Sequence, residues 1–63
     1  MNPEEMMQQA SLADLDGLIR ELKRAAEAIE ENSADFPAVH RNIRRVQAGI
    51  KMLELNVSDI SEL

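Results

Sequence analysis

Eight apolar residues in the second half of the chain recur at spacings of 3, 4, 3, 4, 3, 4 and 3: Phe36, Val39, Ile43, Val46, Ile50, Leu53, Val57 and Ile60. This is the heptad pattern of a and d positions. At about 100° per residue it draws one narrow stripe along a helix. Most of these residues are β-branched, so their own helix propensity is modest. Such a stripe has to be held by packing against another helix. Asp35 is the expected N-cap, and Pro37 sits in the first turn, where a missing N–H costs little. Asn56, Ser58, Asp59 and Ser61 are weak helix formers. The pattern therefore predicts a helix over about 36–60, fraying from about Asn56.

The first half carries a broader apolar face. Leu15, Leu18, Leu22, Ala25 and Ile29 form one series, and Leu12, Leu15, Ile19, Leu22, Ala26 and Ile29 an overlapping one. Two starts are legible. Asn2 before Pro3, with Glu5 three residues on, resembles a capping box, and so does Ser11 with Asp14. Met6, Ala10, Ala13 and Gly17 lie roughly opposite Leu15, which marks either a change of helix at Ser11 or a second, small-residue face. The longer helix, about 3–31 and frayed at its start, is the reading adopted. Asn32 is placed to take the left-handed conformation that ends many helices. The link 32–35 is short, so the two helices should be antiparallel neighbours.

The expected fold is thus all-α: an antiparallel two-helix hairpin over 1–63, with Leu15, Leu18, Leu22 and Ile29 facing Ile43, Val46, Ile50 and Leu53. In a lone pair of helices each seam residue is covered on one side only. Doubling the hairpin into a four-helix bundle covers the other side. The expected oligomer seam is Leu15, Leu18, Ile19, Leu22, Ile29, Phe36, Val39, Ile43, Val46, Ile50, Leu53 and Val57, with a homodimer as the leading state.

Composition narrows the chemistry. The chain has 63 residues and no cysteine, and His40 is its one histidine. Domains this small usually rely on disulfides, a structural metal or association. The first is excluded, as are cysteine-based metal sites, and a single histidine does not make a His-rich site. No metal or cofactor is expected. The lack of cysteine fits a reducing cytoplasm. No apolar run is long enough to span a membrane, and the acidic start Met1-Asn2-Pro3-Glu4-Glu5 is unlike a signal peptide.

Net charge is −5 and aromatic content 2%, the single Phe36. An acidic chain is not drawn to nucleic acid over long range, and one aromatic makes no base-stacking platform. The second helix nevertheless gathers His40, Arg41, Arg44, Arg45 and Lys51 off its stripe. Read functionally, this is an electrostatic footprint for nucleic acid or for an acidic protein. Read blandly, it is a solvated face neutralised by Glu27, Glu30 and Glu31 of the first helix. Beside it, Ala48, Met52 and Leu55 also leave the stripe. Arg41, Arg44, Arg45, Lys51, Met52 and Leu55 are therefore the candidate partner-binding residues.

Nothing in the chain makes a self-contained catalytic site. No two carboxylates share an apolar pocket that would split their acidities. The serines Ser11, Ser33, Ser58 and Ser61 lie near predicted helix ends, where capping accounts for them. Gly17 and Gly49 are isolated rather than set in a phosphate-cradling loop. Both fall mid-helix, where close approach of another helix is their expected use. His40 is expected at the surface or in a salt bridge. In shape the hairpin is similar to small dimeric helical hairpins of unrelated function, including RNA binders of plasmid copy control and secretion co-chaperones, with no shared motif.

The function expected from these features is a non-enzymatic interaction module: an adaptor, small chaperone or regulatory subunit. It would associate with itself and with a helix of another protein. A nucleic-acid-binding hairpin using the basic face is the alternative.

Overall fold

A computed structural model of the chain describes residues 11–61. Within them lie two α-helices, α1 (Leu12–Glu31) and α2 (Pro37–Ser61), packed against each other, and no strand.

The start of α1 is built by Ser11. Its backbone is extended (φ −81°, ψ 162°), its hydroxyl accepts from the Asp14 N–H, and the Asp14 carboxylate accepts from the Ser11 N–H. This reciprocal capping box satisfies two backbone donors that a helix start otherwise leaves free. Of the two starts legible in the sequence, the one at Ser11 lies among the described residues, and it is capped. The described helix begins at Leu12, after that extended residue; the stretch from Pro3 to Ala10, which the longer reading includes, lies outside the described residues, together with Met6 and Ala10 of the small-residue face.

α1 ends at Asn32, but not by the left-handed device expected of it. Asn32 has φ −98° and ψ 8°. No described residue has positive φ. The termination is instead made by hydrogen bonds: the Asn32 side-chain amide donates to the Ala28 carbonyl at 2.7 Å, and its backbone N–H is shared between the Ala28 and Ile29 carbonyls. The side chain thus does locally what a left-handed glycine would do through backbone geometry.

The link then folds tightly. Ser33 N–H donates to the Glu30 carbonyl, and Phe36 N–H donates to the Ser33 carbonyl. The first bond of α2 runs from His40 N–H to the Phe36 carbonyl. That places Phe36 at the cap position, one residue beyond the Asp35 expected from the sequence. Pro37 opens the helix, as its missing N–H allows. α2 stays helical through Asn56, Ser58 and Asp59 to Ser61, so the expected fraying is absent.

The core between the helices is thin. Ala26, Ile43 and Ile50 are its buried hydrophobic residues, with Ile19 packed against them half-buried. Leu12, Ala13 and Asp16 at the start of α1 line a hollow with Val57, Ser58 and Ser61 at the end of α2. Further along, Lys23 Nζ meets Glu54 Oε2 at 3.5 Å. Next to the link, Ser33 bonds His40.

Candidate functional site

The seam inside the chain is narrower than the heptad stripes that predict it. On α1 the residues turned inward are Leu12, Ile19, Ala26 and, just past the helix, Ser33, a series in steps of seven. On α2 they are Ile43, Ile50 and Val57. Ala26 and Ser33 were not among the expected seam residues. The signal for them is the strict sevenfold series through Leu12 and Ile19.

Each helix has two flanks beside this seam. On α2, one flank is His40, Gln47 and Glu54, all half-buried. On α1, the matching flank is Asp16, Lys23, Glu27 and Glu30. These polar flanks meet: Lys23, Glu27, Gln47, Ile50, Lys51 and Glu54 line one shallow hollow, and Lys23 pairs with Glu54 across it. That pair is about half exposed and contributes little to stability, in the range of about 0–1 kcal/mol.

At about 100° per residue, the opposite flank of α1 carries Leu15, Leu22 and Ile29, with Leu18 beside them. The opposite flank of α2 carries Val39, Val46, Leu53 and Ile60. Since the polar flanks share one side of the helix pair, these apolar flanks share the other. All eight residues are exposed, Leu18 the most at 61%. The result is a continuous apolar face, two helices wide, open to solvent in the single chain. Of the expected seam residues, then, Ile43 and Ile50 are buried, Ile19 and Val57 half-buried, and Leu15, Leu18, Leu22, Ile29, Val39, Val46 and Leu53 form most of the open face. Phe36 is exposed at the link.

A second surface lies on the side of α2 turned away from α1. It holds Arg41, Arg44, Arg45, Ala48, Met52 and Leu55, with Lys51 at its edge beside the polar hollow, all exposed. The neutralisation expected from Glu27, Glu30 and Glu31 does not form. The two ion pairs among the described residues are Arg20–Asp16 at 3.1 Å and Lys23–Glu54, and neither involves this surface.

His40 has a structural place rather than a salt bridge. The Ser33 hydroxyl donates to the Glu30 carbonyl at 2.8 Å and lies 3.1 Å from His40 Nδ1. A hydroxyl has one hydrogen, and the carbonyl takes it, so Nδ1 must carry the hydrogen of the second bond. Both glycines stand in open space: a Cβ at Gly17 or Gly49 would meet nothing within 4 Å. Close approach of the two helices therefore does not explain them.

Among the described residues no group of three or more His, Asp or Glu side chains is arranged to hold a metal ion. None of the helices described is long and apolar enough to cross a membrane. The chain matches no protein-family model, and neither the curated proteins nor the solved structures include one significantly similar to it.

Proposed function

We propose that the chain is an antiparallel helical hairpin that serves as a non-enzymatic protein–protein interaction module, built as a homodimer through its open apolar face. The antiparallel reading is supported by the order of contacts. The start of α1 lies with the end of α2, Lys23 lies with Glu54, and Ser33 lies with His40 beside the link.

The observation that carries the dimer is the open face. Leu15, Leu18, Leu22, Ile29, Val39, Val46, Leu53 and Ile60 are each between 41% and 61% exposed, while three hydrophobic residues among those described are buried. An apolar face two helices wide is more than the scattered single hydrophobic residues that a monomer normally exposes, and marks a contact surface. A second copy laid face to face converts two thin layers into a four-helix bundle. A two-fold arrangement is the commonest way for identical chains to do this. Adaptor, small chaperone and regulatory subunit are the roles such a module fills, and the absence of cysteine suits the cytoplasm.

The test is sedimentation equilibrium with circular dichroism on the same samples across a dilution series. The mass should be that of two chains at high concentration, and mass and helix signal should fall together on dilution, because folding is tied to association. A compact single-chain mass with a cooperative melt that ignores concentration would reject the proposal.

A further inference from the structure

We propose that the outward side of α2 docks an acidic amphipathic helix of another protein. This surface is distinct from the open face, and a second copy covering Leu22, Val46 and Leu53 leaves it bare.

Two observations on the surface point to the occupant. The first is unspent positive charge. Between Asp35 and Glu54 the sequence has no acidic residue, and it has four cations, Arg41, Arg44, Arg45 and Lys51. None of the four has a carboxylate within ion-pair distance among the described residues, although the chain as a whole is acidic. Arginine suits planar carboxylates in particular, which it can grip through two parallel hydrogen bonds. The second is an apolar ridge running through these charges. Ala48, Met52 and Leu55 are spaced 4 and 3 residues apart, so they stack along one line of the helix, with Met52 58% and Leu55 50% exposed. A ridge of that spacing is what the apolar face of a second helix packs against. Methionine adapts to partners of varied shape.

The combination selects among occupants. Nucleic acid would use the arginines and leave Met52 and Leu55 in water; it would also approach a chain of net charge −5 carrying one aromatic residue. The outward side of α1 of another copy mixes Asp14, Glu21 and Glu31 with Arg24. Its apolar residues there are small, Ala13, Gly17 and Ala28, and offer no ridge for Met52 and Leu55. A foreign helix with leucine-type residues on one line and carboxylates on both sides of it satisfies charge and ridge together. Its carboxylates would steer the encounter, and the ridge would slow release.

The probes are two synthetic helical peptides with the same leucine ridge, one flanked by glutamate and the other by lysine, and a single-stranded RNA of 20 nucleotides. Each carries a fluorophore, and binding to the intact protein is read by anisotropy. The glutamate peptide should bind, more weakly as salt rises. The lysine peptide and the RNA should not bind. The double variant R44E/R45E should weaken the glutamate peptide at least about tenfold, which is about 1.4 kcal/mol. Met52→Ala should weaken it several-fold, with sedimentation mass and circular dichroism unchanged in both variants. Equal binding of the two peptides, no binding of the glutamate peptide, or RNA binding that R44E/R45E abolishes would each overturn the proposal. Because the variants lie off the open face, failure here leaves the dimer standing, and failure of the dimer leaves this test intact.

Discussion

The Ser33 hydroxyl sits between two elements: it donates to the Glu30 carbonyl at the end of α1 and accepts from His40 Nδ1 in the second turn of α2. Ser33 is 1% exposed, so neither bond is easily replaced by water. The pair fixes how α2 leaves the link. Ser33→Ala should lower stability by about 1–3 kcal/mol, the usual cost of leaving a buried polar group without its partner. Urea unfolding measures this at fixed protein concentration. A double-mutant cycle with His40→Ala should show a coupling of at least about 0.5 kcal/mol. Strictly additive single effects would mean that the two side chains do not act as a unit.

Asn32 gives a prediction whose sign depends on backbone geometry. At a left-handed helix end, replacing asparagine by glycine stabilises or changes little, because glycine has no Cβ to strain. Here φ is −98° and the work is done by the side-chain bond to the Ala28 carbonyl. Asn32→Gly should therefore destabilise by about 1 kcal/mol, from the lost bond and the added freedom of the unfolded chain. A thermal melt that rises on this substitution would show that the left-handed form governs after all.

How far the sequence could be read depended on what a heptad stripe can say. The stripe of α2 announced a helix needing a partner, and Ile43 and Ile50 are indeed its innermost residues. It could not say which edge of the stripe faces α1, because Val46 and Leu53 fit the same spacing. Packing decides that: the Leu12, Ile19, Ala26 and Ser33 series is the one turned inward, and Leu15, Leu22 and Ile29 are left exposed. Hydrophobicity ranks leucine above alanine as a core residue, so the composition of α1 alone does not single out Ala26 as the residue buried against α2. The basic surface is legible as charge, but its lack of ion pairs depends on which way α1's carboxylates point, which spacing along the chain does not fix.

Gly49 tests the open face from its edge. Alanine in place of a mid-helix glycine, with nothing near the new methyl, should stabilise by about 0.5–1 kcal/mol. Gly17 on the outward side of α1 meets that condition, and Gly17→Ala should raise the melting temperature accordingly. Gly49 meets it within a single chain, yet it borders Val46 and Leu53. If a second copy closes on that edge, Gly49→Ala should gain less than Gly17→Ala, or lose stability, and should weaken association. Equal gains at both positions, measured by parallel melts, would place the dimer contact away from Gly49.

The sharpest separation of inner seam from open face comes from introducing a charge into each. Ile50 is 3% exposed within the chain, and a carboxylate there is taken out of water into the contact between the helices. Ile50→Asp should abolish helix content at every concentration, because it removes the contact between α1 and α2 itself. Leu18 is 61% exposed, so in a lone chain Leu18→Glu should alter stability by no more than about 0.5 kcal/mol. In the proposed dimer the same substitution buries a charge against the second copy. It should shift the dilution midpoint at least about tenfold toward higher concentration, equivalent to about 1.4 kcal/mol or more of association free energy. Sedimentation and circular dichroism on both variants read the two effects side by side. An unchanged dilution curve for Leu18→Glu would take the open face out of the assembly, and an unchanged helix signal for Ile50→Asp would take Ile50 out of the seam.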